Sequence, residues 1–457
     1  MIVSGTKGCI YIPAPWWKTD YFEVRYEDSN TNRRYFYELL GEGIRAMLHD
    51  FTITVSQKSN YEDDCSEAIV KCVQKFMNGQ RIELGRGDRL SLNFTVGPVQ
   101  SEDYICCIGG EQVPYFRNDY FSNIVLESET LLKKFLNSPE DSKALFITGS
   151  GTASMEAAVV NIFSKTDKLM VINGGTFGDR FVSICETYGF DYIEVKVPFG
   201  VEITMEDLES AYTSDVTGLL INVDETSSGV LYDMEIISDF CKKNELILIA
   251  DIISSFLADD NDMKRYNVDT YIIGSQKALG CQPGVSVLVL SGRAVQRIKD
   301  NNPVCFYLDL KKSLKDSERG QTPFTPAVGI IRQIHARLMQ IDRCGGVKYE
   351  MDRIRNNASF VRENMKKMPF RRVTMHSSNA VTAYYSNEIP VKKMIQLMKD
   401  KYDIWICPNG GAYADSVFRI GHIGSIGIEE NRYMLDCLAK VVEELRTSMG
   451  SQKDCAE

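Results

Sequence analysis

The feature that most constrains the fold is an alternation, from about Lys143 onward, between short continuous apolar runs and amphipathic stretches. In chain order, the apolar runs are ALFIT, KLMVIN, GLLINV, LILIAD, DTYIIGS and VSVLVL. Helical patterns such as SMEAAVVNIF, DRFVSICETYG and MEIISDFCKKN separate several of them. A strand that is apolar throughout is buried on both faces, as in a mostly parallel sheet covered by helices. The sequence therefore predicts an α/β fold built on such a sheet.

The rest of the chain follows other patterns. Past Pro326 two long helical patterns precede strand-like pieces and a closing helix at about 430–448, which indicates a smaller α+β lobe. The first eighty residues carry short β-prone runs and one helical pattern, SEAIVKCVQKFMNG. We therefore expect a short N-terminal β-rich segment at 1–82, a large domain at 88–340 and a small C-terminal domain at 341–449.

Charge and composition exclude several classes of protein. A net charge of −10, from 52 basic and 62 acidic side chains, argues against a nucleic-acid binder, which needs a basic surface. No apolar run approaches the ~20 residues that cross a bilayer, and no secretion signal is visible, so no membrane partner is expected. The thirteen cysteines include no CxxC pair, which favours reduced thiols in a cytoplasmic protein. With four histidines, a histidine-rich metal site is not expected.

The loop GSGT at 149–152 follows the run ALFIT and opens a helical pattern. Glycines allow the sharp turn, and the free N–H groups of a helix N-terminus attract phosphate. Ser150 and Thr152 add hydroxyl donors. An alternative is a dinucleotide fingerprint with Ser154 at the third glycine position, but that site needs an acid at the end of the next strand. That strand ends in Asn173, which favours the simple phosphate loop.

Two further residues stand at the ends of apolar runs. Asp251 ends LILIAD, and Lys277 follows DTYIIGS 26 residues later, about one strand–helix–strand step. Both therefore belong at the carboxyl edge of the sheet, where open α/β sheets place their sites. A lysine, a buried acid and a phosphate loop suit pyridoxal phosphate, which needs a Schiff-base lysine and an acid at its pyridine nitrogen. Taken alone, Lys277 could be an ordinary solvated lysine, and Asp251 could be a helix N-cap.

Six strings in a fixed order carry a family resemblance: NGGTFGDR, VDETSSGVLYD, ADIISSF, GSQKALGCQPG, GQTPFTPAVG and VFRIGHIG. Together they resemble the class V, fold type I, pyridoxal-phosphate aminotransferases of the alanine–glyoxylate and serine–pyruvate type. The resemblance runs from about Leu92 to Leu445. It implies a homodimeric, pyridoxal-phosphate-dependent transaminase that acts on an amino acid and a 2-oxo acid.

The resemblance also implies roles for particular residues. Lys277 would bond the cofactor as a Schiff base and, once released, move the proton between substrate Cα and cofactor C4′. Asp251 would pair with the pyridine nitrogen. Phe177 would stack on the cofactor ring, a position that varies in the family, and Thr226 would face the phenolic oxygen. The phosphate would be held by Ser150, Gly151, Thr152 and Gln276.

Two more residues would complete the site. Arg419, in the string VFRIGHIG, would bind the substrate carboxylate as a bidentate fork, or else serve as a salt-bridged strand residue. Thr325, in GQTPFTP, would reach the phosphate of the neighbouring subunit, which implies a dimer. His422 could approach the substrate, but the sequence favours a hydrogen-bonded strand histidine.

Other chemistry of the same fold remains an alternative: 2-aminoethylphosphonate–pyruvate transamination, a lyase or a desulfurase. By resemblance, desulfurases carry a histidine just before the Schiff-base lysine, where this chain has Gln276. None of its downstream cysteines lies in a Gly/Ser-rich loop of the desulfurase kind. The aminophosphonate branch opens with a different N-terminal string. These departures favour the transaminase.

The front segment resembles a different family. The strings SGTKGCIYIPAPWWKTDYFEVRYED and SEAIVKCVQKFMNG are similar to the C-terminal part of Gfo/Idh/MocA-type sugar oxidoreductases. In that family the nicotinamide lies in a preceding Rossmann domain, which we do not expect here. The segment is therefore expected to be a fusion remnant or a sugar-pathway binding module. Trp16 and Trp17 could form a sugar platform, or simply pack the small sheet.

Overall fold

The computed structural model describes residues 2–5, 8–11, 21–26, 32–36 and 91–454. The chain divides into two units, residues 1–90 and residues 91–457. The first unit contains an antiparallel sheet whose strands follow chain order: β1 (Ile2–Gly5), β2 (Gly8–Tyr11), β3 (Tyr21–Tyr26) and β4 (Arg33–Phe36). The helical pattern at 66–79 and the Trp16-Trp17 pair lie outside the described residues.

The second unit mixes strands and helices throughout. Its strands are β5 (Leu92–Phe94), β6 (Lys143–Thr148), β7 (Lys168–Asn173), β8 (Asp191–Lys196), β9 (Val216–Asn222), β10 (Asp224–Glu225), β11 (Val230–Leu231), β12 (Ile247–Asp251), β13 (Thr270–Gly274), β14 (Val285–Leu290), β15 (Arg371–Arg372), β16 (Val381–Tyr385), β17 (Ile404–Pro408) and β18 (Val417–Gly421). Its helices are α1 (Asp103–Gly110), α2 (Asp119–Phe135), α3 (Gly151–Ile162), α4 (Gly178–Tyr188), α5 (Met205–Ala211), α6 (Met234–Lys243), α7 (Gly292–Asp300), α8 (Leu310–Ser317), α9 (Val328–Arg343), α10 (Gly346–Met365), α11 (Val391–Tyr402) and α12 (Ile428–Asp454). A single 3₁₀ turn, Gly411–Tyr413, precedes β18.

A seven-stranded sheet forms the centre of this unit, in the order β6-β14-β13-β12-β9-β7-β8. Neighbouring strands from β13 through β8 run parallel, and β14 is antiparallel to both β13 and β6. The predicted mostly parallel sheet is therefore confirmed, with β14 as its reversed strand. β10 and β11 form a separate two-stranded hairpin.

The central strands are apolar throughout because both faces of the sheet are covered. Every residue of β12, β13 and β14 is buried. Successive residues serve opposite faces: Leu248 packs into the layer with α2, α6 and α9, and Ile249 into the layer with α3, α4 and α7. Removing these apolar side chains from water is the dominant contribution to the stability of the fold. It amounts to roughly 25 cal/mol per Å² of apolar surface.

The C-terminal lobe is a five-stranded sheet, in the order β15-β16-β18-β17-β5, packed against α10, α11 and α12. Most of its neighbouring strands are antiparallel, but β17 and β5 run parallel. The strands at AVTAYYS, DIWICP and VFRIGHIG are thus present as predicted. β5 comes from the start of the unit, before the large sheet.

The sheet register places the functional residues. Asp251 is opposite Asn222 of β9 and Ile272 of β13. Three adjacent parallel strands therefore end at the same edge. The turn that carries Lys277 follows Gly274 directly, at this edge.

Candidate active site

A pocket with about 450 Å³ of empty space, counted to its open mouth, lies at the carboxyl edge of the large sheet. Its walls are formed by Ser150, Gly151, Thr152, Phe177, Arg180, Asn222, Asp224, Thr226, Asp251, Ile253, Ser254, Gln276 and Lys277. Eight predicted residues are thus brought together, and two others, Arg419 and Thr325, do not line the pocket.

Lys277 is buried in the turn after β13. In the described part of the chain no carboxylate lies within ion-pair distance of its Nζ, and the centroid of the Phe177 ring is 6.0 Å away. Burial lowers the pKa of Lys277 to about 8; the charge of Arg419 acts in the same direction, and the carboxyl of Asp224 opposes both. At pH 7 roughly a tenth of the amine is then neutral and nucleophilic, far more than for an ordinary lysine.

Gly97 fixes the direction of the Lys277 side chain. It has a φ of +140°, and a Cβ there would lie 2.8 Å from Cδ and 2.9 Å from Cε of Lys277. Any side chain at this position would displace the lysine stem. Only a glycine at position 97 therefore leaves the lysine stem where it is.

Asp251 ends β12 and is held by two donors. The Nδ2 of Asn222 donates to Oδ2 at 2.6 Å, and the backbone N–H of Ile253 donates to Oδ1 at 2.8 Å. Burial raises the pKa of Asp251 to about 6, while the Ile253 hydrogen bond and the charge of Lys277 lower it. An acid with this pKa is mainly ionised at neutral pH, and it pairs readily with a protonated ring nitrogen.

The GSGT loop opens α3 as predicted, with Ser150 at the N-cap. The Ser150 side chain makes no capping hydrogen bond, so its hydroxyl and the first helical N–H groups remain available to an anion. A Cβ on Gly151 would lie 2.1 Å from Cδ1 of Ile253, so only glycine allows this packing. Ser154 is buried and hydrogen-bonded to Ser286 at 2.6 Å. This inward hydrogen bond gives Ser154 a structural role and does not support the dinucleotide alternative.

Phe177 forms a wall of the pocket just before α4. The buried carboxylate of Glu225 accepts the N–H groups of Phe177 and Gly178, each at 3.1 Å, and that of Ser227 at 3.2 Å. A Cβ on Gly175 would lie 2.4 Å from Oγ of Ser227. The motifs NGGTFG and VDETSSG therefore interlock, and Glu225 sets the position of the aromatic wall.

Arg419 lies beside the pocket without lining it. It donates from Nη1 to the carbonyl of Thr226 at 3.2 Å and from Nη2 to the carbonyl of Pro408 at 2.6 Å. Its Nε is buried without a hydrogen-bond partner, and no acidic side chain of the described residues forms an ion pair with it. Its charge is therefore uncompensated close to Lys277, as a carboxylate-binding residue requires.

Two other predicted positions lie away from the pocket. Thr325 is exposed, in the segment between α8 and α9. His422 is buried beyond the end of β18, where Nε2 hydrogen-bonds Thr382 Oγ1 at 2.8 Å. Burial and the charge of Arg362 hold the pKa of His422 well below its usual range, so the imidazole is neutral.

Sequence reasoning missed several pocket residues: Asn222, Asp224, Ser254, Arg180 and Ile253. Asn222 ends a strand next to Asp251, so strand-end position could have identified it. Ser254 hydrogen-bonds Thr226 at 2.6 Å, and the Arg180 guanidinium lies 4.9 Å from the centroid of the Phe177 ring. The contact between Ser254 and Thr226 joins distant segments, and no local pattern predicts it.

The donor set fits pyridoxal phosphate. A buried lysine without an ion-pair partner, a carboxylate with one hydrogen bond to each oxygen, and an uncapped helix N-terminus open onto one pocket. The described residues contain no group of three or more His, Cys, Asp or Glu placed to hold a metal ion. Within those same ranges, none of the helices is both long and apolar enough to cross a membrane. The described cysteines are all free thiols.

Comparison with known proteins gives a consistent result. Residues 115–402 match the family model of the class-V aminotransferases. An uncharacterised aminotransferase of Methanocaldococcus jannaschii is 30% identical over 72% of this chain and 86% of its own length. An L-aspartate–glyoxylate aminotransferase of Paracoccus denitrificans is 25% identical over 68% of this chain and 80% of its own. The crystal structure of an aspartate aminotransferase from Thermus thermophilus is 27% identical, covers 77% of this chain and 99% of its own, and superposes with a TM-score of 0.72.

Proposed function

The chain belongs to the class-V aminotransferases, pyridoxal-phosphate enzymes of fold type I, and we propose that it moves an amino group from an amino acid to a 2-oxo acid such as glyoxylate or pyruvate. The donors that we propose are aspartate, alanine or serine. The relatives from Paracoccus and Thermus, which are named for aspartate, support the first of these. The observation that carries the proposal is a single pocket that contains Lys277, Asp251 and the N-terminus of α3. Lys277 has no ion-pair partner there among the described residues.

Pyridoxal phosphate, when bound, supplies the carbonyl carbon that exchanges amines and the electron sink for the substrate Cα. We propose that Ser150, Gly151, Thr152 and Gln276 hold its phosphate and that Phe177 covers one face of its ring. Thr226, whose hydroxyl is oriented by Ser254 at 2.6 Å, would face its phenolic oxygen. Asn222 and Ile253 hold the carboxylate of Asp251 so that it keeps a proton on the ring nitrogen.

Lys277 is proposed to transfer the proton that leaves the substrate Cα. Its pKa of about 8 leaves part of the amine neutral at neutral pH, so Nζ would accept the proton of the substrate Cα and would return it to carbon C4′ of the cofactor. Gly97 keeps the lysine stem in place during this transfer. Phe177 and the surrounding walls limit the access of water to the reacting atoms.

Arg419 is proposed to bind the substrate α-carboxylate. Its Nε has no hydrogen-bond partner, and its guanidinium has no ion-pair partner among the described residues. Replacing it by lysine keeps the charge and loses the planar fork. We expect Arg419→Lys to raise the KM for amino acids at least tenfold while pyridoxal phosphate still binds, and an unchanged KM would contradict this role.

The experiment that tests the proposed reaction is a panel of amino donors. Purified protein loaded with pyridoxal phosphate is mixed with aspartate, alanine, serine or 2-aminoethylphosphonate, and the visible absorbance is followed. We expect at least one of the first three to bleach the band and a 2-oxo acid to restore it. Bleaching by 2-aminoethylphosphonate alone would favour the alternative reaction, and no bleaching by any donor would contradict the transaminase proposal.

We also propose a homodimer in which Thr325 reaches the phosphate site of the partner. The support is a surface of exposed apolar side chains, Val304 (57% exposed), Phe306 (72%) and Tyr307 (49%), close to Thr325. The ring of Tyr307 stacks on Phe324 at 5.1 Å. A cluster of this kind marks an interaction surface in a water-soluble protein.

The front segment, residues 1–82, is proposed to descend from a sugar oxidoreductase and to be dispensable for transamination. The described strands β1–β4 are consistent with a small sheet. We also propose a cytoplasmic location, because the described cysteines are free thiols and cytosolic proteins rarely contain disulfides. Deleting residues 1–82 should leave transamination intact, and loss of the dimer or of solubility on deletion would show a structural role instead.

A further inference from the structure

Two backbone carbonyls hold the guanidinium of Arg419, and each belongs to a different part of the fold. Nη1 donates to the carbonyl of Thr226 at 3.2 Å, in the turn of the β10–β11 hairpin, and Nη2 donates to the carbonyl of Pro408 at 2.6 Å, at the end of β17. An arginine side chain has several rotatable bonds, so a carboxylate-binding guanidinium is effective only when its plane is fixed. The orientation of Arg419 therefore depends on what holds these two carbonyls.

The carbonyl of Thr226 belongs to a firmly held turn. The buried carboxylate of Glu225 accepts the Ser227 N–H at 3.2 Å and the Ser227 hydroxyl at 2.5 Å. The N–H groups of Ser228 and Gly229 donate to the backbone carbonyl of Glu225 at 3.0 and 2.8 Å. These hydrogen bonds lie within the hairpin itself, so the turn keeps its shape without help from Arg419.

The carbonyl of Pro408 has less support from its own strand. β17 pairs with β18 through two residues, Cys407 and Pro408, and a proline has no N–H to donate to the sheet. Beyond Pro408 the chain leaves the sheet: Gly410 and Gly411 are exposed, and a Cβ on either would meet nothing within 4 Å. This strand end therefore depends on contacts with other parts of the chain.

Asn409 provides such a contact. Its Nδ2 donates to the carbonyl of Ser227 at 2.8 Å, and its Oδ1 accepts the Gly410 N–H at 3.0 Å, which orients the amide. Ser227 is the residue after Thr226. Asn409 likewise follows Pro408, so two adjacent residues of the strand end are joined to two adjacent residues of the hairpin turn. Without the Asn409 hydrogen bond, the guanidinium would have to hold these two segments together as well as bind a ligand.

We propose that Asn409 is a positioning residue for Arg419: its amide keeps the Pro408 carbonyl at the place where that carbonyl fixes Nη2. The Nε of Arg419 is buried without a hydrogen-bond partner, so its N–H remains available to a carboxylate while the rest of the guanidinium is held. Asn409 does not need to touch the substrate for this role. The inference rests on the proposed function, in which Arg419 binds the α-carboxylate of the amino acid.

The test is the donor half-reaction of the full-length protein loaded with pyridoxal phosphate. The visible band is followed while aspartate, alanine or serine is added at increasing concentration, and each amino acid that bleaches the band yields a half-saturating concentration and a limiting rate. The variants are Asn409→Ala, which removes the amide, and Asn409→Leu, which keeps most of its volume. Asn387→Ala is the matched control, because Asn387 is exposed in the same lobe, just after β16.

We expect both Asn409 variants to raise the half-saturating concentration about three- to tenfold, the effect of one lost hydrogen bond, and to leave the limiting rate within about twofold of the parent value. Asn387→Ala should behave like the parent protein. An asparagine that only stabilised the fold would lower the cofactor content or the limiting rate instead. A half-saturating concentration that stays at the parent value in both variants would show that Asn409 does not position Arg419.

A double variant separates this role from a general one. In the Arg419→Lys background the planar fork is already lost, so adding Asn409→Ala should change the half-saturating concentration by less than about twofold. A rise of about three- to tenfold in both backgrounds would mean that Asn409 acts independently of Arg419, and the inference would be wrong. A parent protein whose band no amino acid bleaches would instead overturn the proposed function, and the inference with it, so the two failures are distinguishable.

Discussion

At the scale of single residues, a missing side chain determines where the reactive amine lies. Gly97 leaves room for the stem of Lys277, and it adopts a positive φ that other residues rarely adopt. The site therefore depends on a residue that carries no functional group. Such a position is invisible to a search for chemistry in the sequence, because its role is defined by a contact with a residue 180 positions later.

Gly97→Ala should weaken the binding of pyridoxal phosphate. The new Cβ would meet Cδ and Cε of Lys277 and displace the amine that bonds the cofactor. We expect the affinity to fall about tenfold or more, which is about 1.4 kcal/mol of binding free energy. A spectroscopic titration with the cofactor measures it. Gly110→Ala is the control because a Cβ there meets nothing within 4 Å, and equal affinities in the two variants would contradict the prediction.

The pKa of Lys277 predicts how cofactor capture depends on pH. Only the neutral amine attacks a carbonyl, and burial lowers the pKa to about 8 from the ordinary value of 10.5. The rate of uptake by cofactor-free protein should therefore rise about tenfold per pH unit below pH 8 and level off above it. Stopped-flow absorbance measures the rate. A rise that continues unchanged to pH 10 would show that the lysine is not perturbed.

The residues that sequence could predict share one property: they follow an apolar run. Asp251 and Lys277 were identified because strand ends at a parallel edge meet. Ser150 and Thr152 were identified from a glycine loop before a helix. Ser254 contacts Thr226, a residue of a distant segment, and spacing along the chain does not reveal such a contact.

At the scale of elements, the aromatic wall depends on one carboxylate between two loops. Glu225 accepts three backbone N–H groups, which pins the segment before α4 to the hairpin that follows β9. Hydrogen bonds to a charged group contribute about 1.5–3 kcal/mol each at most. The position of the Phe177 ring therefore depends on the hydrogen bonds that Glu225 accepts.

Glu225→Gln should loosen this wall. A glutamine has one acceptor oxygen where the carboxylate has two, so we expect the free energy of unfolding to fall by about 1–3 kcal/mol. Cofactor affinity should fall as well, because Phe177 is no longer held. Urea unfolding and cofactor titration measure the two effects. Glu206→Gln, exposed in the first turn of α5, is the control, and parent-like behaviour of the Glu225 variant would refute the role.

The apolar runs predicted the strands, and the helical patterns SMEAAVVNIF, DRFVSICETYG and MEIISDFCKKN predicted α3, α4 and α6. β6, β7, β9, β12, β13 and β14 all fall on those runs. The reversal of β14 was not predictable from hydrophobicity, because a buried strand is apolar in either direction. The parallel pairing of β5 with β17 likewise joins segments about 310 residues apart, which no periodicity records.

At the scale of the whole molecule, the site requires a second copy of the chain if the proposed dimer is right. Thr325 is exposed in a single chain and does not line that chain's pocket. The phosphate that we propose it contacts must therefore be the one bound by the partner chain. The aromatic cluster beside it, of Phe306, Tyr307 and Phe324, is the surface on which we expect the partner to pack.

Phe306→Asp should therefore produce a monomer with weaker cofactor binding. A charge at the centre of an apolar interface is costly to bury. Light scattering with size-exclusion chromatography measures the mass. Met375→Asp, at a residue that is 75% exposed in the C-terminal lobe, is the control and should stay dimeric. A parent protein that is monomeric, or a Phe306 variant that remains a dimer, would contradict the proposed interface.

The central claim is that Lys277 forms the covalent link to pyridoxal phosphate, and the visible absorbance of Lys277→Ala tests it most directly. Parent protein and variant are purified identically and incubated with pyridoxal phosphate, and the unbound cofactor is then removed. We predict a visible band in the parent protein that its amino donor bleaches, and neither the band nor amino transfer in the variant. A Lys277→Ala protein that keeps the band and full turnover would contradict the account.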